Sequence, residues 1–417
     1  MVFKKICVIL FFSILAIQTF SQDISRTDDY VFVENIKSVK FFAGNNPLSF
    51  PVSDLDGNIP LIFEFDDTDG DSKSYYYKIV HCDMDWNISS NLNESDFLSG
   101  YNGVEIRNIE NSVFTLTQYT SYRIRIPNQD IRWTISGNYL LVVYDENEDI
   151  VITKRFLVSE NRVKINSYLD HSKDVSKYYS HHSLKVEINS KDYYVVDPLK
   201  EFKITILQNL KWIDAINDIS PKYLQGDNLS FDEFDPFLFK ALNEFHYFDS
   251  RSLRATNLEI RSIDVKRSGV NILLENDEIR KYGNYFFHND INGNFLILNL
   301  DNQNINTSQY TNVHFSLKSF APIKDSEVYV TGGFCEWQLY DENKLSYDPQ
   351  TQSYTGKIFL KQGVYDYYYA LVDKSGKIDF EPIEGSWYET ENDYLILVYQ
   401  RPFGNKYDKL VGIRIIE

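Results

Sequence analysis

Ser121-Tyr122-Arg123-Ile124-Arg125-Ile126 alternates a polar or charged residue with an apolar one at every step. A period of two puts Tyr122, Ile124 and Ile126 on one face of an extended chain and the polar residues on the other, which is the pattern of a half-buried strand. The same alternation returns in Lys185-Val186-Glu187-Ile188 and Lys203-Ile204-Thr205-Ile206. Short turn signals separate such runs: Asp56-Gly57-Asn58, Asp69-Gly70-Asp71, Asn292-Gly293-Asn294 and Ser375-Gly376. Asp, Asn and Gly tolerate the left-handed backbone that tight turns need. Many short strands joined in this way predict an all-β chain of tandem antiparallel β-sandwiches. Helix is expected only in short segments around 213–216 and 234–243.

Three places carry Gly followed two residues later by Tyr: Gly137 and Tyr139, Gly283 and Tyr285, Gly363 and Tyr365. Each reads as the late central strand of an immunoglobulin-like sandwich, whose Tyr closes a corner onto nearby backbone. Three unequal modules follow, with boundaries near 160–163 and 307–311. The expected division is 22–160, 161–310 and 311–417. Before them, Lys4 and Lys5 precede an apolar run from Ile6 to Ile17 and then Thr19 and Ser21. This is the layout of a secretory signal peptide over 1–21, cleaved near Ser21 and Gln22. The run is too short to cross a bilayer as an anchor. Cys7 lies inside it rather than after it, which argues against a lipoprotein site.

The chain carries 42 basic and 60 acidic side chains, a formal charge of -18 that becomes about -20 once Lys4 and Lys5 are removed. Such a balance argues against nucleic acid and anionic lipid as partners, since both require phosphate charge to be neutralised. Only Cys82 and Cys335 survive processing, in different modules, so neither a disulfide framework nor a disulfide-linked partner is expected. Stabilisation must come from packing, for which 31 Tyr and 29 Phe are available.

His81-Cys82-Asp83-Met84-Asp85-Trp86 gathers several metal-ligand types. Read as a strand, it turns His81, Asp83 and Asp85 one way and Cys82, Met84 and Trp86 the other, giving a polar edge and an apolar face. Asp67-Thr68-Asp69-Gly70-Asp71 resembles the start of a calcium loop, but the sixth and twelfth positions are Ser72 and Lys78 instead of Gly and Glu. A solvated hairpin turn is the reading for Asp67, Asp69 and Asp71, and His181-His182 reads as a surface pair. No nucleophile elbow, zinc-protease helix, phosphate loop or dinucleotide fingerprint occurs, so neither catalytic residues nor a cofactor are expected. In the segment 243–254, Arg251 and Arg254 offer planar forks to Glu244 or Asp249. These four residues are candidates for either a partner interface or an internal ionic staple.

Val328-Tyr329-Val330-Thr331-Gly332-Gly333-Phe334-Cys335-Glu336-Trp337 resembles the opening of an early-set sandwich of the glycogen-binding type. In a carbohydrate-binding alternative, Trp337 or Trp387 is the sugar platform; otherwise Trp337 is core. Over nearly the whole mature chain the sequence resembles the plug proteins of the bacterial type IX secretion system. The marks are 77–86, Ser136-Gly137-Asn138-Tyr139-Leu140-Leu141, Gln208-Asn209-Leu210-Lys211-Trp212, 243–254 and Thr390-Glu391-Asn392-Asp393-Tyr394. The resemblance implies a non-enzymatic periplasmic protein, peripheral to the outer membrane and not inserted in it. Its implied partner is the SprA-type translocon barrel, whose periplasmic opening it closes when no cargo is engaged.

Overall fold

The structure, a computed structural model, describes residues 24–416 except 233 and 303. The expected signal peptide lies outside the described residues. No helix among the described residues is long and apolar enough to cross a membrane.

The chain is all-β and its sheets stack in layers. The first module pairs two sheets. One is built on Gly137–Asp145, flanked by Ile150–Ser159 and Tyr75–Cys82; the other runs in the order Ile36–Ala43, Leu61–Asp67, Thr120–Ile126, Asn108–Asn111. Tyr122, Ile124 and Ile126 point into the core between them, as their alternation requires. The second module faces one sheet containing Lys164–His171 and His181–Asn189 against another in the order Lys211–Ile219, Phe202–Gln208, Tyr394–Gln400, Lys409–Ile416.

The two modules do not merely adjoin. Tyr139, Leu141 and Val143 enter the first core, while Leu140 and Val142 point the opposite way, onto Leu395, Leu397 and Tyr399 of the second module. Tyr394, Ile396 and Val398 in turn enter the second core. Four sheets are therefore stacked with apolar side chains between every adjacent pair. Strands buried on both faces lose the polar half of their alternation, which is why 139–143 and 394–399 read as unbroken apolar runs.

The third module is a sandwich around Phe315, Val328, Val330, Tyr367 and Tyr369. One sheet holds His246–Asp249, Gly363–Asp373 and Ser326–Thr331; the other holds Ser353–Lys361, Tyr310–Lys318, Gly269–Leu274 and Ile260–Lys266. Lys344–Asp348 joins the two, pairing with Ser326–Thr331 through Leu345 and with Ser353–Lys361 from Ser346 onward.

Several expectations need correction. The boundary near 307–311 cuts through the third module, because Gly269–Leu274 pairs in parallel with Tyr310–Lys318. The second module is discontinuous: Tyr394–Gln400 returns from the far end of the chain to pair with Phe202–Gln208 over its whole length. The boundary near 160–163 does separate strands of different sheets, but Glu160, Arg162 and Val163 donate backbone hydrogen bonds to Leu410 and Val411. The segment at 213–216 lies in the strand Lys211–Ile219, and 234–243 contains the strand Leu238–Lys240, so neither forms the expected helix.

Of the three Gly-x-Tyr pairs, two behave as read. Tyr139 donates to the carbonyl of Ile135 and Tyr365 to that of Lys361, each four residues upstream. Tyr285 instead lies in a loop and donates to the Glu244 carboxylate and the Glu389 carbonyl. Its surroundings, Lys281-Tyr282-Gly283-Asn284, lack the alternation a strand needs.

Candidate functional site

Within the segment 243–254 the structure shows one internal ion pair and one exposed arginine. Its strand His246–Asp249 pairs with Gly363–Asp373. Arg251 closes a bidentate pair on Asp249, with Nε to Oδ1 at 2.9 Å and Nη2 to Oδ2 at 2.6 Å. Glu244 is buried and does not meet either arginine; it accepts from the Tyr285 hydroxyl and, at 3.3 Å, from the Glu391 amide. Arg254 is the exposed member, 3.4 Å from Asp301.

Beneath this segment lies a buried ionic network that sequence reasoning missed. His246 sits between two carboxylates, with Nδ1 3.0 Å from Asp277 Oδ1 and Nε2 3.1 Å from Glu384 Oε2. Arg280 donates from Nε to Glu384 Oε2 at 2.9 Å, and the Tyr369 amide donates to Glu384 Oε1 at 2.8 Å. The hydroxyls of Tyr367 and Tyr369 donate to Asp277 Oδ2. Burial and the Arg280 charge both oppose protonation of His246, but the two carboxylates outweigh them and hold its pKa above the ordinary value. Burial disfavours the Glu384 carboxylate, yet the charges of Arg280 and His246 hold its pKa below the usual range. Every charge has a partner, so this network stores no nucleophile or free base and reads as a lock between strands.

The metal-like clusters resolve on geometry. Asp67, Asp69 and Asp71 bring carboxylate oxygens within 4.8 Å of one another. The Lys73 ammonium contacts all three, at 3.0 Å from Asp67 and 3.7 Å from Asp71, and closest to Asp69. The strand carrying His81 ends at Cys82, not at Trp86, because Asp83 turns the chain by accepting from the Asp85 and Asn87 amides. Cys82, Met84 and Trp86 are nevertheless all buried together. His81 is buried too, against Tyr139 and Phe97, with Ser89 Oγ at 2.8 Å from Nδ1. Burial lowers its pKa to about 4, so it is neutral at physiological pH.

His181-His182 is only half a surface pair. Neighbours on a strand face opposite ways, and His182 points inward to the Tyr394 hydroxyl and the Tyr388 carbonyl, each at 2.7 Å. Trp337 packs edge-on against Phe245 and Phe380, with the Lys211 ammonium 5.6 Å from its ring. Trp387 is half-buried, its ring packed where a Cβ on Gly385 would fall. Cys82 and Cys335 are both free and buried, with thiols pushed up by burial to about 12 and about 11.

The densest polar chemistry sits where modules meet. Asp66 of the first module accepts from Lys361 Nζ at 2.7 Å and the Tyr310 hydroxyl at 2.6 Å, both from the third. Lys361 also lies 4.0 Å over the Tyr119 ring. Lys154 contacts Glu336 and, at 3.3 Å, Asp29. Lys40 donates to Asn294 Oδ1 at 2.5 Å and lies 4.1 Å over the Phe295 ring, its pKa lowered by burial to about 7. Between the first and second modules, the Arg155 guanidinium lies over both Trp86 and Trp212, and the Tyr399 hydroxyl donates to Asn138 Oδ1 at 2.7 Å.

Asp366 is a different case. Its Oδ2 accepts from the Ile291 and Gly293 amides at 2.6 and 3.2 Å, while its buried Oδ1 has no partner. Burial, reinforced by Asp290, raises its pKa to about 8. A folded pKa above the unfolded one means stability that is fully present below about pH 4 and is lost as pH rises through 8. Asp366→Asn keeps the acceptor and removes the charge. We expect thermal melts at pH 5 and pH 9 to differ less for the variant than for the parent; equal differences would refute the assignment.

No curated protein matches the chain. The solved structures include a close likeness: the crystal structure of a hypothetical protein from Parabacteroides merdae, 30% identical, with a TM-score of 0.89 over 93% of this chain and 98% of that one. The family described as "Type 9 secretion system plug protein 1st domain" matches residues 36–160, which is the first sandwich with its buried Tyr139 corner and the 77–86 turn. On that match and on the sheet architecture it spans, the chain belongs to the plug protein family of the type IX secretion system.

Proposed function

We propose that this protein is a non-enzymatic periplasmic plug. In this reading it docks under the outer-membrane translocon barrel of the secretion system and seals the periplasmic opening when no cargo is engaged. The first module's family carries the secretion-related role. The physical support is the stack of four sheets with a third sandwich tied to it by buried ion pairs. A cover over a pore wide enough for folded proteins must resist deformation, and a body whose modules share cores loses little conformational entropy on docking. The acidic surface disfavours direct attachment to anionic lipid, so attachment runs through the barrel.

The test is a pull-down of the tagged mature protein from solubilised outer membranes. Co-purification with the barrel, enriched when the barrel is empty of cargo, is the expected result. Recovery as a free protein that binds glycans would overturn it in favour of a carbohydrate-binding role.

A further inference from the structure

The segment Lys281-Tyr282-Gly283-Asn284-Tyr285-Phe286-Phe287 carries four aromatic rings in seven residues and lies in no strand or helix. Its base is fastened at both ends. The Arg280 and Lys281 amides donate to the Ile383 carbonyl at 2.8 and 3.0 Å. Tyr285 turns inward to the buried Glu244 carboxylate and the Glu389 carbonyl, and His288 Nε2 lies 2.7 Å from the Phe245 carbonyl. The Trp387 ring and the Lys281 backbone meet where a Cβ on Gly385 would fall. The remaining rings point away from this anchored base: Tyr282 is 88% exposed, Phe286 78% and Phe287 47%. Three large rings exposed within six residues form a patch of the kind that marks a contact surface, unlike apolar residues scattered singly.

The charges around the loop select the chemistry of what it meets. In a chain of strongly acidic balance, 281–289 holds no carboxylate, and Lys281 carries its one fixed charge, 5.9 Å from the Tyr282 ring. Exposed carboxylates return only at the base, where Glu389 and Glu391 lie close enough for their charges to bear on the Tyr285 hydroxyl. Rings at the tip, one ammonium beside them and carboxylates behind match the layers of a zwitterionic bilayer. Aromatic side chains settle at the boundary between headgroups and acyl chains, Lys281 meets the phosphates, and Glu389 and Glu391 meet the headgroup ammonium groups. An anionic surface would oppose both carboxylates.

We propose that the loop 281–287 is an interfacial lipid anchor, with Tyr282, Phe286 and Phe287 entering the headgroup boundary of a zwitterionic bilayer. Three rings give shallow, reversible attachment. The loop therefore orients the protein against a membrane surface and does not hold it there alone. This inference does not depend on docking to the barrel.

The probe is a vesicle of phosphatidylcholine and phosphatidylethanolamine, added to the full mature chain. Cys82 and Cys335 are buried, so Asn284→Cys takes an environment-sensitive dye selectively, and Asn147→Cys, in an exposed turn of the first module, is the control. A saturable blue shift is expected at 284 and not at 147, unchanged in high salt because the contact is apolar. Replacing both exposed rings, Tyr282→Ser with Phe286→Ser, should weaken partitioning about tenfold or more. No shift at millimolar lipid, equal shifts at both positions, a shift that needs anionic lipid and vanishes with salt, or unchanged partitioning in the double variant would each overturn the proposal. So would a shift produced by solubilised outer-membrane proteins and not by vesicles, which would make the loop a protein contact.

Discussion

Glu384→Gln is expected to cost about 3–5 kcal/mol of folding stability, the range for stripping one partner from a buried ionic pair. The substitution keeps the shape and removes the charge. Arg280, partly exposed, and the buried His246 are then left facing each other, with Asp277 as the remaining anion. The pH profile carries the sharper signature. His246 has a folded pKa above its unfolded value of about 6.5, so its contribution is present below that value and fades as pH rises through the folded pKa. Glu384 and Asp277 have lowered pKa values, so their contributions are present above their unfolded values and fade as pH falls through the folded ones. In the parent the network is strongest between these limits. In Glu384→Gln the histidine loses one of the two anions that hold its proton, and its alkaline loss moves to lower pH. Urea unfolding at pH 5.5, 7 and 8.5 checks both points. A cost below about 1 kcal/mol would mean the network relaxes around the missing charge.

How much of this was legible in advance depends on whether a feature is local. Tyr122, Ile124 and Ile126 announce their own burial, because alternation is a property of consecutive residues. Asp83 ending a strand is also local, yet it was misread: the apolar Met84 and Trp86 continue the alternation although the backbone has already turned. The partner of Tyr394–Gln400 is not local at all. A strand apolar on both faces signals that it is central but not which strand it pairs with, so the return of the chain end to the second module left no trace in the pattern. The His246 network fails for the same reason. Its members at 246, 277, 280 and 384 come from separate loops and strands, and the one hint was a histidine amid Phe245, Tyr247 and Phe248. Arg251 meets Asp249, two residues away, whereas the partners of Glu244 lie far along the chain at 285 and 391.

The link between modules makes the second large prediction. Lys361→Met leaves Asp66 buried with only hydroxyl donors from Tyr310 and Ser121, and Asp66→Asn leaves Lys361 buried without its anion. Each single change should cost about 3–5 kcal/mol. The double variant removes both charges at once and should recover most of that loss, since a neutral pair of similar volume is often no worse than the ion pair it replaces. What distinguishes this pair from the Glu384 network is its position. Asp66 and Lys361 lie in different sandwiches, so the energy of the pair is energy of association between modules. If the modules unfold as one body because of such contacts, each single variant should split a single calorimetric transition into two, and the double variant should merge them again. A single transition that merely moves to lower temperature in both single variants would assign the cooperativity to the apolar stack of the first two modules. The third sandwich would then follow the stack without needing the ion pair to hold it.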